Sequence, residues 1–337
     1  MSVGRPEDSL HPTLDAIRLF PDGGFSWMGR PYVVDGVSEA EPDRARSLLL
    51  EALTSHLYVS VFSTGGPALA REVPVRPWSR LSPFVAALSA ANTGTGSWQH
   101  GWQVDARDGD LLVVERDGLR LWARSTDVRA TDPSPGAATA VRLPNEMLGL
   151  SPGFYVALGD EGPEPGEPLI RLYWNLFRDA AAPFVGAATA MLNDARVPFR
   201  LKVLNDPALY DRCDAGVLYL ERRGGDQVAS IIAAVHGVIA EGLGDETPVF
   251  TLRLARGLAF AEDPGDVDES FGMNRCALLA EGIVRAHERG EESIAGRLAI
   301  VADVFTEAGL SLDRPYLEPG SGPEDVPAFP GLVATPA

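Results

Sequence analysis

Of the 29 basic residues in this chain, 28 are arginines and one, Lys202, is a lysine. A guanidinium keeps its proton in any protein setting, whereas an ammonium that is buried or crowded by other cations can release one. A lysine retained in so arginine-rich a chain is therefore a candidate for work that arginine cannot do: general base, Schiff-base amine or nucleophile. The plain alternative is a solvated lysine on a strand. Its neighbours favour chemistry. In Val197–Leu204, Phe199, Leu201 and Val203 alternate with Arg200 and Lys202, so one strand face is apolar and the other cationic. Leu169–Leu176 alternates in the same way, with Ile170, Leu172 and Trp174 opposite Arg171, Tyr173 and Asn175.

Guanidinium forks match phosphate oxygens two at a time, and cations crowded round a lysine favour a neutral amine, which is a general base. The segment Ser270-Phe-Gly-Met-Asn-Arg275 opens a helix with Ser270 as its N-cap, and its free N–H groups suit an anion. Together these parts fit β-elimination of phosphate from a phosphorylated serine or threonine, with no cofactor and no metal. The same features would also suit a sugar-phosphate binder or a phosphopeptide reader.

The elements that must position these groups follow from apolar periodicity. Strands are expected at Gly153–Leu158, Leu169–Leu176, Val197–Leu204, Ala215–Arg222 and Pro248–Arg256. Helices are expected at Pro183–Asp194, Gln227–Leu243, Phe271–Arg289 and Ser293–Ala308. The implied fold class is α+β, a mainly antiparallel sheet with helices on one face. Arg171, Tyr173, Asn175, Arg200, Lys202, Tyr219 and Arg253 then share the opposite face. Upstream, Pro42–Ser55 and Pro83–Ala91 read as helices and Leu57–Phe62 as extended. Two Arg-Asp-Gly turns, at Arg107 and Arg116, divide a three-stranded meander. The expected domains are a smaller N-terminal α+β unit (1–140), a catalytic domain (141–315) and a Pro/Gly-rich flexible tail (316–337).

A net charge of −18 argues against nucleic acid and against anionic membranes as partners. No apolar run approaches a bilayer span and the first residues lack an apolar signal core, so the expected location is the cytoplasm. Cys213 and Cys276 make no disulfide framework, and the five histidines show no metal-binding spacing.

Four blocks carry a resemblance: Arg171-Leu-Tyr-Trp-Asn175, Pro198–Val203, Tyr210-Asp-Arg-Cys-Asp-Ala-Gly-Val-Leu-Tyr219 and Ser270–Arg275. In this order, over about residues 145–310, they resemble the HopA-type bacterial effector family, which includes lyase components of class V lanthipeptide and thioamitide biosynthesis. The resemblance implies a phosphoserine/phosphothreonine lyase acting on a ribosomal precursor peptide, leader plus phosphorylated core, beside a separate kinase-like protein. A more distant similarity, to phosphothreonine lyase effectors, implies Lys202 as base. By chain order it also implies Arg212, Tyr219, Arg253 or Arg256, and Arg275 around the phosphate; the cationic strand face adds Arg171 and Arg200, and Asn175 and Asn274 are expected as further substrate contacts. Where that pattern has a histidine acid, this chain has Tyr173. The acid is therefore expected at Tyr173, with His100, after a Gly-rich loop, as second candidate. The competing expectation is a non-catalytic phosphopeptide-binding or scaffold module; a cyclase adding cysteine thiols is a weaker third.

Overall fold

Leu169–Trp174 alternates because the two faces of its sheet meet different surroundings. Ile170, Leu172 and Trp174 are buried on one side in a single apolar cluster with Leu201, Leu218 and Phe260 from neighbouring strands. The computed structural model describes residues 6–21, 23–36, 41–69, 82–129, 134–164, 166–265, 270–329 and 332. Helix α1 (Pro6–Ala16) leads into a meander of β1 (Ile17–Leu19), β2 (Phe25–Trp27) and β3 (Arg30–Tyr32). Helix α2 (Pro42–Leu57) runs directly into a π-helical turn, Tyr58–Phe62, so the extended segment expected at Leu57–Phe62 is helical. Local β-propensity there is overridden by packing: Leu57, Val61 and Phe62 turn inward together into the core,.

Helix α3 (Pro83–Ala91) precedes β4 (Trp98–Asp108), β5 (Leu111–Arg116), β6 (Leu119–Arg124), β7 (Val128–Arg129) and β8 (Ala138–Arg142). These strands form a sheet in the order β6-β5-β4-β8-β7. Its small core contains Trp102, Val104, Leu112 and Val114. The two Arg-Asp-Gly turns fall where the meander requires them, and Asp117 and Gly118 both take positive φ, as a tight hairpin demands.

The larger sheet has seven strands. It is built from β9 (Glu146–Met147), β10 (Phe154–Leu158), β11 (Leu169–Trp174), β12 (Phe199–Leu204), β13 (Gly216–Glu221), β14 (Leu252–Ala255) and β15 (Leu258–Glu262). Its order is β14-β15-β11-β13-β12-β10-β9, and neighbouring strands pair antiparallel. The strand expected at Pro248–Arg256 is shorter, β14 alone, and it turns at Gly257 into a second strand beyond the expected range, β15. Helices α4 (Ala181–Asp194) and α5 (Gly225–Val238) join α3 on the face of Trp174 and Leu218.

The fold class is the expected one, but helices cover part of the other face as well. Register places Tyr173, Val217, Ala259 and Ala261 there, an apolar stretch that needs a cover. Helices α1 and α2, the π-turn, α6 (Phe271–Glu288) and α7 (Ile294–Glu307) supply it. The helices of the first 62 residues therefore share a core with α6 and α7. The expected boundary at residue 140 falls within β8, and residues 131–133 of the loop before that strand lie outside the described residues. Nor does the tail hang free: Leu317 is buried, and Val326 and Phe329 pack on the sheet core. No helix among the described residues is long and apolar enough to cross a membrane.

Candidate functional site

The helical cover stops short of β12 and β10, and the uncovered part of the sheet is the floor of a cleft of about 730 Å3. Register fixes which groups meet there. Arg171 on β11 lies opposite Tyr219 on β13, and Tyr219 lies opposite Arg200 on β12. One row along, Lys202 faces Val217 and Val156. Arg171, Arg200, Lys202 and Tyr219 all line the cleft.

Tyr219 is the centre of this group. The guanidinium carbon of Arg200 is 4.2 Å and that of Arg171 5.2 Å from its ring centroid, and Lys202 Nζ is 5.5 Å away. Lys202 Nζ also lies 4.6 Å from the ring centroid of Phe154. Ring faces attract such cations. Burial pushes the Tyr219 phenol up, but the charges of Lys202 and Arg171, a hydrogen bond from Lys202 and the charge of Arg200 together outweigh it. The phenol is held below its ordinary value.

The cations differ in how they are balanced. Arg171 Nε donates to Asp263 Oδ2 at 2.6 Å, with the two side chains only 6% and 10% exposed. Asp263 Oδ1 accepts from Gly265 N–H at 2.9 Å, fixing the turn beside the cleft. Among the described residues, no carboxylate pairs with Arg200 or Lys202. Helix α6 starts at the cleft wall, where Ser270 accepts from Met273 N–H at 3.2 Å, the expected N-cap. Its first turn is seated on the π-turn so closely that a Cβ on Gly272 would stand 2.6 Å from the Phe62 ring.

Other expected residues lie elsewhere. Tyr173 shares the strand face but not the cleft: it is sealed between Phe62 and Phe271, at centroid distances of 6.0 and 6.3 Å. Burial raises its phenol well above the ordinary range, although Arg171, which donates a hydrogen bond to it, opposes this. Tyr173 thus supports Arg171 from behind. His100 is exposed on β4 of the smaller sheet and does not line the cleft. Asn175 ends β11, donating to the Glu246 carbonyl at 3.0 Å; it closes a loop.

Arg212 forks onto Asp214 (2.8 and 2.7 Å) and donates to Tyr58 Oη (3.0 Å), while that hydroxyl donates to Asp214. This buried knot ties β13 to the π-turn. Arg253 sits on β14, four strands from Lys202, a spacing of about 19 Å. Arg256 pairs with Asp245 at 2.7 Å and donates to the Leu243 carbonyl. Arg275 is fully buried and donates to the Pro315 and Leu317 carbonyls and to Glu318, and Asn274 accepts from Arg275. These two hold the C-terminal segment on α6 and do not line the cleft. Chain order alone could not separate a guanidinium that faces a cleft from one that pins the fold. Asp263, which sequence reasoning missed, had one signal: with Glu262 it closes the apolar run Leu258–Ala261.

The chemistry available is that of a small oxyanion site with a lysine and a phenol in mutual contact. A model of the HopA1 effector protein family matches residues 146–317, just over half the chain, and that span contains every cleft residue named above. Two solved structures of Pseudomonas syringae effector proteins are also similar. That from pathovar tomato strain DC3000 is 17% identical, with 81% of this chain and 90% of that chain covered and a TM-score of 0.44. That from pathovar syringae strain 61 is 14% identical, with 84% and 99% covered and a TM-score of 0.46. No curated protein matches the chain in sequence. On the family match over residues 146–317, this chain belongs to the HopA1 effector protein family.

Proposed function

We propose that the chain is a phosphoserine/phosphothreonine lyase that eliminates phosphate from a phosphorylated ribosomal precursor peptide. The observation that carries this reading is the convergence of Lys202, Arg200 and Arg171 on one phenol in one cleft. Arg171 and Arg200 hold the phosphate, next to the first turn of α6. The Lys202 amine takes the Cα proton, the electron pair forms the Cα=Cβ bond, and the Cβ–O bond breaks towards phosphate. Tyr219, rather than Tyr173 or His100, is the acid: its phenol protonates the departing phosphate. The phenolate then recovers a proton from the Lys202 ammonium across their hydrogen bond, and both groups return to their starting state. The products are dehydroalanine or dehydrobutyrine and hydrogen phosphate, with no change of oxidation state at the protein. A separate kinase-like protein supplies the phosphopeptide, and residues 1–140 are the candidate for docking it or the leader.

A second reading is favoured by one observation. Lys202 lies over the rings of Phe154 and Tyr219, a seat that attracts an ammonium and suits a phosphate anchor in a non-catalytic phosphopeptide reader. Mass spectrometry of a phosphothreonine precursor peptide separates the two. The lyase reading expects loss of phosphoric acid with the wild type and none with Lys202→Ala or Lys202→Arg. An unchanged peptide, bound equally well by wild type and Lys202→Arg, would favour the reader.

A further inference from the structure

The cleft has two chemically different halves, divided by Lys202. On the β11 side its wall is charged, with Arg171 and Asp263, and Arg200 stands beside Lys202 on β12 itself. On the β10 side it is mainly apolar: Val156 and Leu150 line it, with Ser151 beside them. Met147 is the next residue outward in register with Val156, on the same sheet face as Lys202. Leu150 is 49% and Met147 41% exposed, and they stand at the sheet edge beside a cleft on a chain of net charge −18. Large apolar side chains left open next to a binding cleft mark a surface that a ligand covers.

We infer that the apolar half is a subsite for a large apolar side chain two residues from the phosphorylated one, so that the substrate is a phosphopeptide with an aliphatic or aromatic flank. In an extended peptide, like-facing side chains are roughly 6.8 Å apart, and neighbouring strands are spaced by about 4.8 Å. With the phosphorylated residue over Lys202 and Tyr219, the side chain two positions along falls over Val156 and between Leu150 and Met147. Charge complementarity fixes the other end, since the phosphate belongs with Arg171 and Arg200. The inference rests on the lyase reading only for the position of the phosphate.

The test uses the full chain and peptides whose phosphoserine carries a methylene in place of the bridging oxygen, so that nothing can be eliminated. Fluorescence anisotropy compares a peptide with Phe two residues from this phosphonate, one with Ser there, and the Phe peptide without the phosphonate. Binding of the Phe peptide about tenfold tighter than the Ser peptide is expected. Leu150→Ser with Met147→Ser should erase that ratio and leave the Ser peptide's affinity unchanged. Equal affinity for Phe and Ser peptides, with binding still dependent on the phosphonate, would overturn the apolar subsite and leave the proposed function standing. A Phe preference that does not depend on the phosphonate would support the subsite and overturn the phosphate site. No binding of any peptide would overturn both.

Discussion

Removing the Asp263 carboxylate is the sharpest test of how the cleft is held together. Asp263 and Arg171 form a 2.6 Å pair with side chains 10% and 6% exposed. Asp263→Ala would leave a guanidinium buried among Tyr173, Tyr219 and the sheet. Breaking such a pair from one side costs about 3–5 kcal/mol. Here the lower end applies, because Arg171 keeps its hydrogen bond to Tyr173 and opens onto the cleft. With about 2.1 cal/mol/K of unfolding entropy per residue over 337 residues, 3 kcal/mol corresponds to a fall in Tm of roughly 4 °C. The change Asp263→Leu made together with Arg171→Met removes both charges, and it should recover most of that loss, since an apolar pair of similar volume avoids the desolvation penalty. Thermal melts of the wild type and the two variants at one pH and salt concentration are the assay. A single-variant Tm within a degree of wild type, or a double variant no more stable than Asp263→Ala, would refute the view that this pair is buried and mutually dependent.

Three other outcomes are expected. His56 is packed edge-on against Phe25, Trp27 and Tyr32 at 4.6–5.2 Å, and burial lowers it to about 4 from 6.5. The unfolded chain therefore takes up a proton before the folded one, and stability present above pH 6.5 is lost as pH falls towards 4. Because the ring is only partly buried, the loss is about 1–2 kcal/mol,; a His56→Phe variant should not lose it, and identical pH profiles in chemical denaturation would contradict the assignment. Gly272→Ala gains helix propensity of about 1 kcal/mol, yet its Cβ meets the Phe62 ring at 2.6 Å. Overpacking of about 1–3 kcal/mol should win, and a raised Tm would argue against the close seat. In ultraviolet difference titration, Tyr219→Phe should remove a tyrosine ionisation that occurs below the ordinary phenol range, because Lys202, Arg171 and Arg200 surround it; unchanged titration of the remaining tyrosines in that range would count against it.

Much of the large sheet was legible from period two alone. The alternations in β11 and β12 put Arg171, Arg200 and Lys202 on one face, and the structure keeps them there. What stayed hidden was which part of that face is covered. Tyr173 and Tyr219 have the same parity and the same residue type, yet Tyr173 lies beneath α6 and Tyr219 opens to the cleft. The difference depends on where α6 and the π-turn stop, a non-local matter that no window of sequence holds. The same is true of the arginines. Arg275 is buried by partners far away in the chain, the Pro315 and Leu317 carbonyls, which leave no mark near the arginine itself; Arg212 has a local partner in Asp214, but Tyr58, which ties it to the π-turn, is equally distant. The β14–β15 hairpin was missed because β15 is buried along its whole length and shows no alternation, as befits an interior strand.

The order of the seven strands also bears on how the protein comes to fold. Arg171 and Asp263 are 92 positions apart, and β15 must close on β11 before Arg171 has its partner. Closures over such separations are entropically costly and come late. A nascent chain released before β15 has left the ribosome can pair β11, β12 and β13 and gather three cations round Tyr219, but Arg171 is then unbalanced. The finished electrostatic environment is thus an attribute of the completed chain, acquired in its final third.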